Sequence, residues 1–345
     1  MIKSLFFTAA LLVPGLASAG NPSANLSGQI VPSSAKPLLG LAQGDGTSPL
    51  FHVWAGRYPD FNANWQTCGP GGACPVSLNN YPMVVNFQHL DSTYNDPIAA
   101  ANGSYNTAYQ QTADILAQYN GQSLRGIYAI RVDSEWHMGF GAIYEPFPNP
   151  TTDPNQTNPA ISAANWIAGV RNLINIIRGT PGLAGVKIVL ESPQSTPQQP
   201  YWPGDSYVDL TGIDVYFDPY YWGPTSSGAW DARVSNFGPY NQNFIISAAW
   251  GVAHNKPLLI AEWCDGYTDQ TDPALTNLTR FAAWMAANNT VAQIYWDDSN
   301  GAGPGTDCRL LVNATRQQSY INAFGSSTYT GSYWSLKPID PNSGY

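Results

Sequence analysis

The chain has 345 residues, of which 11% are charged and 13% aromatic, and its formal net charge is −9. An acidic, charge-poor chain is a poor match for nucleic acid or anionic lipid, and one this aromatic is not disordered. Neutral partners fit better: 12 Trp and 20 Tyr suit sugar rings, whose apolar C–H faces stack on aromatic faces, although most of these residues must serve the core.

The N-terminus reads as a secretory signal peptide over residues 1–19. Lys3 supplies the positive region, Leu5 to Val13 the apolar run, and Ala17-Ser18-Ala19 the small-residue cleavage site. Cleavage near Ala19 predicts a soluble protein of the periplasm or the exterior, with no membrane partner. Residues 20–36 are small and polar, a flexible lead-in. Beyond them, short apolar runs alternate with helical patterns. The expected strands are Leu38–Leu41, Phe51–Ala55, Met83–Phe87, Gly126–Val132, Val186–Leu190, Val208–Ile213, Leu258–Ala261 and Val291–Tyr295.

Helical spacing predicts Tyr105–Tyr119, Ser162–Arg178, Phe244–Val252, Pro273–Ala287 with Asp272 as its cap, and Asn313–Phe324. Residues 42–82 carry no helical pattern and are rich in Gly, Pro and Asn, so irregular connections are expected there. Alternation of strand and helix implies a parallel sheet, and eight strands over about 290 residues fit a single α/β domain, a (β/α)₈ TIM barrel over residues 37–325. Residues 326–345 form a turn-rich tail. No G-x-G-x-x-G or P-loop follows any strand, and four scattered His make no metal motif, so no cofactor is expected. A monomer is expected.

In such a barrel the active site lies at the C-terminal strand ends. Gln88 and His89 follow the third strand. The fourth, IYAIRVDSEWHMGF, delivers Arg131, Asp133, Glu135, Trp136 and His137. Glu191 ends the fifth, Asp214 and Tyr216 lie on the sixth, Glu262 and Trp263 end the seventh, and Trp296, Asp297 and Asp298 end the eighth. Two glutamates on opposed strands, ringed by aromatics, are what glycoside hydrolysis needs: one acid protonates the leaving oxygen while the other carboxylate captures the oxocarbenium-like centre. Glu191 lacks an adjacent aromatic and reads as structural. Arg131 is expected to hold a carboxylate, Asp214 to fix Tyr216 or a loop, and Asp297 and Asp298 to bind hydroxyls or cap a loop. Trp136, Phe140, Tyr220, Tyr221, Trp222 and Trp263 are candidates for a cleft wall.

Three segments resemble clan A glycoside hydrolases, most closely family 26, the endo-β-mannanase family. YWPGDSYVDLTGIDVY (residues 201–216) is similar to the sixth-strand motif, KPLLIAEW (256–263) to the strand that ends on the nucleophile, and RVDSEW (131–136) to the strand that bears the acid/base. The resemblance implies that Glu262 is the nucleophile, Glu135 the acid/base and Tyr216 a contact of the nucleophile. It further implies that Trp296 stacks under the sugar and His89 touches its hydroxyls. One position departs: Ser134 stands where the family has His and most of the clan Asn, beside the acid/base, which bears on the choice of polysaccharide more than on the chemistry. The expected protein is a secreted retaining β-glycosidase, endo-acting on a polysaccharide. A clan A hydrolase of another β-glycan and a non-catalytic carbohydrate-binding barrel are the alternatives.

Four cysteines in an oxidising compartment imply two disulfides. Of the three connectivities, the flexible GPGGA between Cys68 and Cys74 favours that pair, and Cys264, two positions after Glu262, and Cys308, beyond the eighth strand, lie on neighbouring loops that favour the other.

Overall fold

The computed structural model describes residues 38–43, 61–72, 83–91, 93–122, 127–133, 163–192, 201–219, 230, 244–267, 276–298, 307–310 and 314–325. Its strands are β1 (Leu38–Gln43), β2 (Phe61–Cys68), β3 (Met83–Phe87), β4 (Ile127–Val132), β5 (Lys187–Ser192), β6 (Leu210–Phe217), β7 (Leu258–Asp265) and β8 (Thr290–Asp297). Each pairs in parallel with the next, and β1 pairs with β8, so the sheet curls round and closes.

The second strand corrects the expectation. It is Phe61–Cys68, whereas Phe51–Ala55 lies outside the described residues. The segment FNANWQTC has no continuous apolar run, but Phe61, Ala63, Trp65 and Thr67 alternate with polar residues at the strand period.

Helices are described between β3 and β4 (α1, Pro97–Ala101; α2, Asn106–Gln122), between β4 and β5 (α3, Ala163–Gly179), between β6 and β7 (α4, Phe244–Ala253) and between β7 and β8 (α5, Thr276–Ala287). A last one (α6, Ala314–Tyr320) follows β8 and runs into a π turn at Ile321–Gly325. The alternation of strand and helix is thus seen in part among the described residues. Helix α1 was not expected, although Asp96-Pro97 carries the start signal. Pro97 opens the helix, and the Asp96 carboxylate accepts from the backbone N–H groups of Ile98 and Ala99 at 2.8 and 3.3 Å.

Three apolar clusters divide the molecule. Val84, Ala129, Val189, Leu210, Leu259, Ala261, Ala292 and Ile294 fill the inside of the sheet. Outside β3–β5, the stripe Trp166, Val170, Leu173, Ile174 and Ile177 of α3 packs on Val85, Ile130, Ile188 and Leu190. Each such side chain contributes about 1.5–3 kcal/mol on burial. Outside β6–β8, Ile213, Val215, Ile260, Trp263 and Tyr295 meet Phe281 and Met285 of α5 and Tyr320 and Phe324 of the last turns. No helix among the described residues is long and apolar enough to cross a membrane.

Candidate active site

Strand β7 does not alternate evenly. Leu258 and Ile260 face the outer cluster and Leu259 and Ala261 the inner one, so an unbroken pleat would turn Glu262 outward and Trp263 inward. The pairing shows otherwise. Against β6, Ile260 pairs with Ile213 but Glu262 with Asp214; against β8, Ile260 pairs with Gln293 but Trp263 with Tyr295. β7 therefore holds one extra residue between Ile260 and Trp263 relative to both neighbours, a bulge. A bulge re-aims the side chains beyond it. Glu262 turns into the barrel mouth and Trp263 out into the aromatic layer. Gly212 of β6 lies alongside: a Cβ there would meet Val189 Cγ1 at 2.9 Å, with Ala261 Cβ at 3.5 Å, so only glycine fits.

Inside the mouth, Arg131 Nη1 donates to Glu262 Oε1 at 3.0 Å and the Tyr216 hydroxyl donates to Glu262 Oε2 at 2.5 Å. Arg131 Nε donates to Glu191 Oε2 at 2.9 Å, and Nη2 bonds the same oxygen. Asp214 Oδ1 lies 3.6 Å from Arg131 Nη2. Arg131, Glu191 and Asp214 are each 1% exposed and Glu262 5%, so three carboxylates share one guanidinium almost out of water. Burial pushes the guanidinium down, but Glu191, Glu262 and Asp214 more than reverse this, and it stays charged. Asp214 is raised as well, which for a carboxyl favours the neutral form. Burial and the charges of Glu191 and Glu262 raise its carboxyl well above the usual range, against the pull of Arg131. Asp214 thus keeps its proton to higher pH than an isolated aspartate.

The expected residues divide accordingly. Arg131, Asp214, Tyr216 and Glu262 are brought together. Trp296, half-buried, ends β8 at the same rim and packs against the inner cluster. Glu135, Ser134, Trp136, His137, Phe140, Tyr220, Tyr221 and Trp222 lie outside the described residues.

Two substrate-binding expectations are corrected. Trp263 is fully buried in the outer layer, edge-on to Tyr295 at 4.9 Å and Phe281 at 5.3 Å, with its Nε1 donating to Gln293 Oε1. His89 is 1% exposed and its ring faces the helices. It stands edge-on to Trp166 at 5.7 Å, and its Cδ2 lies 3.0 Å from where a Cβ on Gly169 of α3 would be. Its backbone N–H donates to Asp133 Oδ1 at 2.8 Å, and Nδ1 bonds Asp133 Oδ2. That grip anchors Asp133, which turns the chain out of β4 in the left-handed region (φ 52°).

Asp297 caps a loop, its Oδ1 accepting from Leu310 N at 2.7 Å. Glu191 is the residue the sequence undervalued: its place on the inward parity of β5 beside Arg131 was the available signal.

The Cys264–Cys308 disulfide is present as expected, with Cα atoms 5.7 Å apart. Cys68 is also disulfide-bonded, and its expected partner Cys74 lies outside the described residues. Among the described residues, no group of three or more His, Cys, Asp or Glu is arranged to hold a metal.

No protein-family model matches the chain. Endoglucanase H of Acetivibrio thermocellus is 25% identical over 168 residues, 47% of this chain, and the match spans only 17% of that protein's length. Among solved structures, a modular endo-β-1,4-mannanase from Cellulomonas fimi superposes with a TM-score of 0.53 at 15% identity, covering 83% of this chain and 70% of that one. GH26C from a Muricauda species gives 0.51 at 12%, covering 76% and 79%. A GH5-4 broad specificity endoglucanase from an uncultured bacterium gives 0.50 at 13%, covering 85% and 94%. The chain therefore has the fold shared by glycoside hydrolases of families 26 and 5, in agreement with the family 26 resemblance of residues 201–216 and 256–263.

Proposed function

We propose that this chain is a secreted, retaining, endo-acting β-glycosidase built on a full (β/α)₈ barrel, with Glu262 as nucleophile and Glu135 as acid/base. The observation that carries the reading is the bulge in β7, which turns a buried glutamate into the barrel mouth and seats its two oxygens on Arg131 and Tyr216. In the first step a Glu262 oxygen forms a bond to the anomeric carbon as the glycosidic bond breaks, and Glu135 gives its proton to the departing oxygen. In the second, Glu135 takes a proton from water, whose oxygen displaces Glu262 from the anomeric carbon. Two inversions return the β configuration. Trp296 offers a face for the sugar at the cleavage site. The assignment of Glu135 rests on RVDSEW alone.

β-Mannan is the first substrate class, by the resemblance to family 26. A β-glucan is the second reading, favoured by the similarity to a protein named Endoglucanase H. The test is a panel of soluble polysaccharides followed by viscosity, product chromatography and anomeric NMR. Viscosity is expected to fall on one β-glycan well before reducing ends accumulate, with β-anomeric oligosaccharides formed first. A single fixed mono- or disaccharide from the outset overturns endo action, and binding without cleavage across the panel makes the chain a carbohydrate-binding barrel.

A further inference from the structure

Arg131 divides its donors unequally. Glu191 Oε2 takes Nε and Nη2, whereas Glu262 receives Nη1 at 3.0 Å. Glu191 comes from the strand beside Arg131 and Glu262 from across the mouth, and Asp214 stands between them, paired in register with Glu262. With its side edge on Glu191 and Nη2 also turned toward Asp214 at 3.6 Å, the guanidinium meets Glu262 through Nη1.

We propose that Glu191 is a positioning residue: by holding one edge of Arg131 it presents Nη1 to Glu262 in place of the full fork, so that the Glu262 carboxylate stays ionised without being neutralised. A carboxylate held bidentately by an arginine is a weaker nucleophile, because the pairing is lost as its charge passes to the new bond. With Glu191 gone, Arg131 turns its fork to Glu262. Glu262 then ionises at lower pH and attacks more slowly. Asp214 completes the division: its Oδ1 stands off at 3.6 Å from Nη2, and burial beside Glu191 and Glu262 favours its protonated form, which does not compete for the cation. This inference rests on the reading of Glu262 as nucleophile.

The experiment follows formation of the glycosyl-enzyme with 2,4-dinitrophenyl 2-deoxy-2-fluoro-β-mannobioside and the matching cellobioside. Attack forms the bond from a carboxylate oxygen to the anomeric carbon while the aryl C–O bond breaks, and dinitrophenolate leaves with the electron pair, needing no proton. Its release gives the rate and peptide mass spectrometry gives the labelled residue. The wild type is expected to carry the label on Glu262. Glu191→Gln is expected to label the same residue about tenfold or more slowly, with the acid limb of its rate displaced to lower pH. Labelling of Glu262 at the wild-type rate with an unmoved acid limb overturns the proposal. A label elsewhere in the wild type overturns instead the nucleophile reading beneath it. Asp214→Asn provides a second arm that survives misfolding of the first: with the protonated form of Asp214 favoured by its surroundings, the amide is expected to leave the acid limb in place. A downward shift there overturns the division of charge.

Discussion

Glu262 and Trp263 are adjacent in the chain and inhabit opposite chemistry. On the inner side of β7 lies a cluster of one guanidinium and three carboxylates, nearly dry, with the Asp214 carboxyl shifted toward its neutral form. On its outer side lies an aromatic layer, where Trp263, Tyr295, Phe281, Tyr320 and Phe324 pack with centroids 4.9–6.2 Å apart. The outer layer satisfies its few polar atoms locally: Gln293 accepts from Trp263 and donates to the Tyr320 hydroxyl at 3.0 Å. The inner one holds its charges nearly out of water at the barrel mouth. One side holds the strand still and the other uses that stillness, and a single extra residue in β7 decides which side chain goes where.

The sharpest way to break this comparison is to cut back each residue in turn. Glu262→Ala is expected to lower turnover on the order of 10⁴-fold while the melting temperature stays within a few degrees, because Arg131 keeps Glu191 as a partner. Azide added to that variant is expected to restore part of the activity and to yield the α-glycosyl azide, the product of one inversion. Ordinary turnover on the panel substrate removes Glu262 from the chemistry.

Trp263→Ala is expected to do the reverse. Removing a fully buried indole from the aromatic layer costs about 3–5 kcal/mol of stability, read as a fall in denaturant midpoint, while the folded fraction keeps its substrate affinity. Unchanged stability with lost affinity makes Trp263 a sugar platform after all and places the bulge elsewhere.

The sequence made the seventh strand, its terminal glutamate and the sixth-strand motif readable, because buried parallel strands are apolar runs and a carboxylate at their end needs a partner. The direction of each side chain was not readable. Alternation predicts facing only while the register is unbroken, and nothing in KPLLIAEW announces an extra residue after Ile260. The same blindness hid β2, whose alternating FNANWQTC looks like loop to a search for apolar runs. His89 failed for a related cause: the end of a strand says where a residue is, and whether its ring turns to the mouth or to α3 depends on Gly169 leaving room. The tie between Cys264 and Cys308 was legible because both follow neighbouring strands.

That disulfide joins the end of β7 to the segment after β8, its cysteines 44 positions apart in the chain. Loop-closure entropy sets its contribution at about 2–4 kcal/mol. The Cys264→Ala/Cys308→Ala double variant is expected to lose that much in chemical denaturation. Because the bulge lies nearer the strand's centre than the bridge does, its activity at 25 °C is expected to fall less than tenfold. A loss approaching that of Glu262→Ala would mean the bridge, and not the pairing of β6, β7 and β8, sets the aim of Glu262.

The smallest effect tests the charge state of the inner cluster. The Asp214 carboxyl titrates well above its usual value in the folded protein, so the native state binds this proton more tightly than the unfolded chain does. For a raised carboxyl the linked stability is fully present below the unfolded value and is lost as pH rises toward the folded one. Wild type is therefore expected to lose stability relative to Asp214→Asn as pH climbs from about 4, by at most about 1.4 kcal/mol per pH unit. Asparagine has no proton to lose, so its stability carries no such dependence. Paired thermal melts at half-unit steps from about pH 4 to 8 give the difference directly. A gap that grows with pH keeps the proton on Asp214 and leaves the residual negative charge to Glu262 and Glu191. A gap that is flat, or that closes as pH rises, means Asp214 is ionised throughout, and Arg131 then answers to three charges instead of two.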